Sequence, residues 1–336
     1  MEGIQELKNL LHQPRNIVIL SHRNPDGDAV GSSLGLKNLL SGGFHTCTII
    51  LPSEFPDEVS WMRGANEIII YDKSTDIAAV KVKAADVFFC LDFNALDRID
   101  RLGELVEAQH KPIVTIDHHL YPQDFSEILF SKTDVSSTCE LVYLVAKAAG
   151  WDRTLDKDGL EALLTGIITD TGSFMYNVHP STFDNVSELT HRGADIHYIQ
   201  DRLNNHIKEK QLRLLGHCLS NRMKIWPEKK SGLIYLTKTD YQDFNIIRGD
   251  TEGIVNYLLK LHDVHVACFI SEQPSINKIS LRSKGNFSVE KMAKTYFKGG
   301  GHKNAAGGSA YGSLSNMITL LEKAIDENKN EIINSY

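Results

Sequence analysis

Two apolar runs of β-strand character each end in a cluster of acids and histidines, and this constrains the fold more than any other feature of the chain. Asn16-Ile17-Val18-Ile19-Leu20-Ser21 runs into His22-Arg23-Asn24-Pro25-Asp26-Gly27-Asp28, and Pro112-Ile113-Val114-Thr115-Ile116 runs into Asp117-His118-His119. In an open parallel α/β sheet, ligands gather beyond the carboxyl ends of the strands. Both clusters are therefore expected to converge on one site. Carboxylate mixed with imidazole is a donor set suited to a pair of divalent metals.

The rest of the chain supplies such a sheet. A short amphipathic helix over 4–12 precedes strand-like runs at 16–21, 45–51, 67–71, 85–91 and 112–116, with helical segments between them. Residues 29–41 place Val30, Leu34, Leu36, Leu39 and Leu40 on a helical period, and Gly42-Gly43 supplies a stop. This alternation predicts a largely parallel sheet with helices on both faces. From Ser136 the pattern becomes helix after helix. Ser136-Ser137-Thr138-Cys139-Glu140 reads as a capping sequence for a helix running to Ala149. Helices follow at 158–169, 182–192, 196–206 and 208–222, the last polar enough to act as a solvated connector. Strand signals return at 231–237, 264–271 and 277–282, with helices at 251–261, 288–297 and 314–328. The expected fold class is α/β. A parallel-sheet domain over 1–195 is followed by a helical linker over 196–225 and a smaller α+β domain over 226–336.

Bulk properties narrow the function classes. The 336 residues suffice for two domains with full cores, and 42% hydrophobic with 24% charged content is ordinary for a soluble globular protein. No apolar run reaches the roughly 18–20 residues of a membrane span. The acidic start, Met1-Glu2-Gly3-Ile4-Gln5-Glu6, differs from a basic leader. Five cysteines without a CxxC pair read as reduced thiols, which points to the cytoplasm. A net charge of −7 argues against duplex DNA as a partner. From Met223 onward 15 Lys and Arg face 12 Asp and Glu, a balance of +3, whereas the remainder carries 21 against 31, or −10. The acidic part holds the metal-ligand candidates, and the mildly basic part suits an anionic substrate.

Each acidic element also has a purely structural reading. Pro25 and Gly27 argue for a turn, which presents Asp26 and Asp28 toward one space or makes Asp28 the cap of a helix from Ala29. Asp117-His118-His119 fits a helix start as well as a ligand cluster. Asp92 follows the buried-looking run Asp86-Val87-Phe88-Phe89-Cys90-Leu91, where an ionised carboxylate needs a partner. Asp170, inside Gly166-Ile167-Ile168-Thr169-Asp170-Thr171-Gly172, ends an apolar helix or lines the site. Four such elements in one chain favour the site.

These residues resemble the signature set of the DHH phosphoesterase superfamily. His22 to Asp28, followed by Ala29-Val30-Gly31-Ser32, is similar to its first motif, Asp92 to the second, Asp117-His118-His119 to the third and Asp170 to the fourth. Gly299-Gly300-Gly301-His302-Lys303-Asn304-Ala305-Ala306-Gly307-Gly308 resembles the signature of the DHH-associated C-terminal domain. No position in the four motifs departs from the pattern. The resemblance implies two divalent metal ions, Mn(II) first, with Mg(II) or Co(II) as alternatives. His22 and Asp26 would bind one, Asp28, His118 and Asp170 the other, and Asp92 would bridge them. Asp117 would orient a histidine, and His119 would face the substrate phosphate while activated water attacks phosphorus in line.

In the C-terminal part, Gly299, Gly300 and Gly301 free the backbone to offer N–H groups to an anion, as in a nest or a helix N-terminus. His302 adds a donor, and Arg282 is placed to grip a phosphate or carboxylate. The same glycines also fit a flexible turn. The resemblance implies that this domain binds the non-scissile part of the substrate and closes over the metals. The compact form resembles stand-alone oligoribonucleases of the nanoRNase type, which also dephosphorylate 3′-phosphoadenosine 5′-phosphate. The expected substrate is thus short single-stranded RNA or a nucleotide. A soluble phosphodiesterase of cyclic or linear di-AMP is the alternative, and a non-catalytic nucleotide sensor is the reading from another class. The oligomeric state, homodimer included, stays open.

Overall fold

The apolar runs become the strands of a wound sheet in the computed structural model, which describes residues 1–42, 44–205, 208–247 and 249–336. The chain divides into two units, Met1–His206 and Ile207–Tyr336. The first contains, in order, α1 (Ile4–Leu10), β1 (Asn16–Ser21), α2 (Gly27–Ser41), β2 (Thr46–Leu51), β3 (Ile69–Ile70), α3 (Thr75–Lys83), β4 (Val87–Leu91), α4 (Arg101–Glu107), β5 (Ile113–Asp117), β6 (Ile128–Ser131), α5 (Thr138–Ala149), α6 (Lys157–Asp170), α7 (Pro180–His191) and α8 (Ile196–Asn204).

Its six strands run parallel in the order β3-β2-β1-β4-β5-β6. Winding proceeds from β1 outward in one direction and resumes at β4 in the other, so the crevice between β1 and β4 is the topological switch point. The central strands β1, β4 and β5 are buried on both faces, which is why they read as continuous apolar runs. Ile17, Ile19, Phe89 and Val114 pack with residues of α1, α2, α5 and α6. Val18, Leu20, Phe88 and Cys90 pack with residues of α3 and α4. Each fully buried side chain of this size contributes about 1.5–3 kcal/mol.

Several local expectations change. The run 67–71 yields only the two residues of β3, because Ala65–Glu67 forms a 3₁₀ turn after Gly64. Strand β6 was not anticipated; its four residues alternate between buried and exposed at the sheet edge, too short a pattern to stand out. Helix α2 begins two residues early, at Gly27, and Gly42 caps its end. Gly43, the other half of the expected stop, lies outside the described residues.

The second unit contains α9 (Glu209–Asn221), β7 (Met223–Trp226), β8 (Ser231–Leu236), α10 (Lys238–Asp243), α11 (Ile254–Leu259), β9 (Val266–Glu272), β10 (Asn277–Ser283), α12 (Val289–Phe297), β11 (Gly300–His302), β12 (Ala305–Ala310), α13 (Leu314–Glu327) and α14 (Lys329–Ile333). The sheet order is β11-β12-β10-β9-β8-β7, with β8 and β9 parallel and the other pairs antiparallel. The segment read as a connector divides. In α8, Ile199 joins the core of the first unit; in α9, Leu214 and Cys218 are buried with Ile234 and Leu258 of the second. The helix expected through 206 ends at Asn204, and residues 206 and 207 lie outside the described residues.

The glycine run is neither a helix N-terminus nor a loose turn. Gly300, Gly301 and His302 form β11, the end strand of the sheet, paired with Gly307, Ala306 and Ala305 of β12. Glycine-rich strands have weak intrinsic β preference, so pairing with β12 decides their conformation.

Candidate metal centre

Each predicted ligand sits where a strand or helix ends. His22 follows β1 directly, and its Nδ1 lies 2.9 Å from the Arg23 carbonyl oxygen. The chain then turns through Asn24, which adopts a positive φ of 56°. The cap of α2 is Asp26, not Asp28: its Oδ1 accepts from Asp28 N–H at 3.0 Å and Ala29 N–H at 3.1 Å. Asp28 lies one position inside the helix, and its carboxylate turns toward α5. Its Oδ2 accepts from Thr138 N–H at 2.7 Å and its Oδ1 from Cys139 N–H at 2.8 Å. Asp92, just past β4, has a φ of 64°, in the left-handed region that only Gly, Asn and Asp visit at modest cost. Asp117 is the last residue of β5, with His118 and His119 beyond it, and Asp170 is the last residue of α6.

These ends converge. Potential ligand atoms within 4.8 Å of one another form three groups: His22, Asp26 and Asp92; Asp28, His118 and Asp170; and Asp92, His118 and His119. Asp92 divides its oxygens between the two sides. Its Oδ2 lies 3.3 Å from His22 Nε2, and its Oδ1 lies 3.6 Å from His118 Nε2 and 3.7 Å from His119 Nδ1. His118 Nε2 is also 3.6 Å from Asp170 Oδ2 and 4.0 Å from Asp28 Oδ2. Asp117 is fully buried and holds His119 Nδ1 at 2.7 Å. All eight residues expected at the strand and helix ends therefore lie in one cluster. Arg282, on β10, and Gly299 to His302 belong to the second unit, where Arg282 donates to its neighbour's carbonyl, Leu281 O, at 3.0 Å.

The electrostatics call for cations. Burial, then the charges of Asp28 and Asp26, push the Asp92 and Asp170 carboxyls well above their usual range. Asp28 is 1% exposed; burial and Asp26 push it up to about 6. His118 is pushed down to about 4 by burial and by its neighbour His119. Burial alone would lower His119, but its bond to Asp117 and the charge of Asp92 reverse the sign and raise it. Carboxylates taken from water and set against one another cost several kcal/mol each unless charge compensates. Divalent cations supply that charge, and the oxygen-plus-imidazole donor set fits them.

Two features the sequence did not disclose hold the cluster together. Helices α2 and α6 pack backbone to backbone: a Cβ added at Gly31 would lie 2.5 Å from Ala162 O. One added at Gly166 would meet Cys139 Sγ at 2.1 Å and Asp28 Oδ1 at 2.9 Å. The second feature is the corner 136–140, legible only as a capping sequence. Ser137 does cap α5, accepting from Glu140 N–H at 3.0 Å. Glu140, however, reaches past the cap to Ser136, accepting from its N–H at 2.8 Å and its hydroxyl at 2.6 Å. The same buried carboxylate accepts from Thr182 at 3.0 Å and Asn185 at 2.8 Å. Thr138 donates its hydroxyl to Asp92 Oδ1 at 2.9 Å.

Fold and site define a two-domain α/β protein with a carboxylate–imidazole centre, suited to divalent metals, at the switch point of its parallel sheet. The chain belongs to the DHH family: the DHH family N-terminal domain matches residues 16–167 and the DHHA1 domain residues 232–330. It is 40% identical to an exopolyphosphatase-related protein from Bacteroides fragilis of solved structure, with a TM-score of 0.95, covering 98% of this chain and 97% of that one. It is 27% identical to a probable bifunctional oligoribonuclease and PAP phosphatase, NrnA, from Streptococcus mutans, over 89% of this chain and 91% of that protein. It is 26% identical to the cyclic-di-AMP phosphodiesterase GdpP from Bacillus subtilis, over 96% of this chain but 49% of that protein. Among the described residues no helix is long and apolar enough to cross a membrane.

Proposed function

We propose that this chain is a divalent-metal-dependent phosphoesterase that hydrolyses short oligoribonucleotides and 3′-phosphoadenosine 5′-phosphate. The observation that carries this reading is Asp92, whose two oxygens face His22 on one side and His118 and His119 on the other. We assign His22 and Asp26 to one cation, Asp28, His118 and Asp170 to the second, and Asp92 to both, with Mn(II) preferred over Mg(II) or Co(II). Cations held by these residues would polarise phosphoryl oxygens and activate water for attack on phosphorus. His119, oriented by Asp117, faces the phosphate and supplies a proton or positive charge to its oxygens. Arg282, Gly299, Gly300, Gly301 and His302 grip the part of the substrate that is not cleaved, through residues 226–336. The reading places the protein in the cytoplasm, with short single strands and nucleotides as its partners in place of duplex DNA. Relatives named as oligoribonucleases and PAP phosphatases over nearly their whole length support the substrate class.

Hydrolysis of cyclic or linear di-AMP is the second reading, favoured by the alignment to GdpP over 96% of this chain. The test is mononucleotide and phosphate release with Mn(II) on a dinucleotide, a long RNA, 3′-phosphoadenosine 5′-phosphate, cyclic di-AMP and pyrophosphate. Preference for the dinucleotide and the bisphosphate supports the proposal. Preference for cyclic di-AMP replaces the substrate, and silence on all five makes the site a sensor.

A further inference from the structure

Thr138 is fully buried and touches two of the carboxylates at once. Its N–H donates to Asp28 Oδ2 at 2.7 Å, and its hydroxyl donates to Asp92 Oδ1 at 2.9 Å. As the first residues of α5, Thr138 and Cys139 have N–H groups with no partner inside their own helix. Asp28 takes both, one on each oxygen, so its carboxylate is fixed in rotation by two backbone donors. Among the described residues, the hydrogen bond to the Asp92 side chain comes from a side chain, the Thr138 hydroxyl, rather than from backbone. Among His22, His118 and His119, the Thr138 hydroxyl donates to Asp92 Oδ1 and occupies one lone pair there.

The corner that presents Thr138 is itself tied down. The Glu140 carboxylate collects four hydrogen bonds, from Ser136 N–H, Ser136 hydroxyl, Thr182 and Asn185. Asn177 donates to the carbonyls of Val135 at 3.3 Å and Ser136 at 3.5 Å. His118 in turn bonds to the Val135 backbone. One short segment therefore contacts Asp28, Asp92 and His118.

We propose that Thr138 is a positioning residue of this centre: its hydroxyl sets the rotation of the Asp92 carboxylate so that one oxygen serves each side of the site. The inference rests on the metal-dependent reading above. Removing a partner that orients a ligand costs about 10–100-fold in metal affinity or activity.

The experiment compares Thr138→Val, which keeps the shape and the N–H but removes the hydroxyl, with Thr138→Ser, which restores the hydroxyl without the methyl group. Mn(II) binding is read by calorimetry, and dinucleotide hydrolysis by kcat and KM. Melting in chelator confirms that each variant folds, and Thr138→Ala replaces the valine variant if that one does not. Thr138→Val is expected to weaken Mn(II) binding and to lower kcat by about 10–100-fold each, with KM nearly unchanged, while Thr138→Ser recovers most of both. Wild-type Mn(II) binding in Thr138→Val, or equal damage in Thr138→Ser, overturns the proposal. If the wild-type protein hydrolyses nothing on the panel, the phosphoesterase reading fails separately. The Mn(II) isotherms then decide this inference by themselves: weakened and rescued supports it, unchanged refutes it.

Discussion

His119 and Asp117 form a short pair, Nδ1 to Oδ1 at 2.7 Å, in which the carboxylate is entirely buried. The other oxygen, Asp117 Oδ2, is buried with no hydrogen-bond partner among the described residues. The whole polar investment of that carboxylate therefore goes to one imidazole. Asp117→Asn should leave the fold intact and lower kcat on a dinucleotide by about 10–100-fold, because the amide can still accept from the ring but no longer supplies the charge that raises the imidazole. Wild-type kcat in this variant would remove Asp117 from the mechanism.

Asp92→Asn separates stability from activity. The carboxylate is 2% exposed and is pushed well above its usual range by burial and by the charges of Asp28 and Asp26, so its ionised form strains the metal-free protein. The amide keeps the shape and can still accept from Thr138. Hydrolysis should fall to background while the melting temperature in chelator rises. A melting temperature below wild type would show that the carboxylate stabilises the metal-free fold.

The pH dependence of the metal-free protein should run opposite to that of an ordinary globular protein. The Asp28 carboxyl is raised to about 6, so its stabilising protonation is complete below the ordinary carboxylate range and lost as pH rises through about 6. Asp92 and Asp170 act in the same direction. Scanning calorimetry in chelator should show a melting temperature that falls from pH ~4 to ~6, and saturating Mn(II) should abolish the fall. In the second unit, burial would raise Asp240, but Arg222 and Thr237 more than reverse this and hold its carboxyl well below the usual range. That contribution is present above the ordinary carboxylate range and is lost as pH falls through the lowered one. A metal-free melting temperature that stays level between pH ~4 and ~6 would contradict the crowded-carboxylate picture.

Gly31→Ala should be damaging out of proportion to one methyl group. The new Cβ would lie 2.5 Å from the Ala162 carbonyl oxygen, a backbone atom that cannot swing away. Overpacking of this kind costs about 1–3 kcal/mol, measurable by urea denaturation. Separation of the two helices also moves Asp28 relative to Asp170, so Mn(II) binding should weaken in the protein that remains folded. A neutral substitution would mean that the helices part without consequence.

Arg282→Ala and His302→Ala should raise KM with little change in Mn(II) content. Loss of one charged hydrogen bond corresponds to about 1.5–3 kcal/mol, or roughly 10–100-fold in binding. Loss of metal from either variant would place that residue in the centre itself.

The parallel sheet and the cluster members that follow its strands were legible in the sequence for one physical reason, whereas Asp170, at the end of α6, was legible as an acid closing an apolar helix between glycines. Strands buried on both faces leave long apolar runs, and a charged residue directly after such a run has to be at a strand end. What stayed hidden depends on contacts distant in sequence. Asp26 rather than Asp28 caps α2 because Asp28 is drawn to the N-terminus of α5, a choice invisible from local spacing. Thr138 reads as an ordinary first-turn residue until β4 brings Asp92 beside it. The hairpin of β11 and β12 is hidden by its glycines, which have no side chains to show an alternating pattern.

The seam between α2 and α6 has a further consequence for adaptation. At Gly31 the two helices meet without room for even one methyl group, because an added Cβ would strike the Ala162 carbonyl oxygen, so the spacing of α2 and α6, which carry Asp28 and Asp170, is set there by backbone contact. Accommodating an ion of another radius would therefore fall to the loops after β1, β4 and β5, where His22, Asp92 and His118 are carried. In this architecture the helices act as a fixed gauge, and ion preference becomes a property of three strand ends.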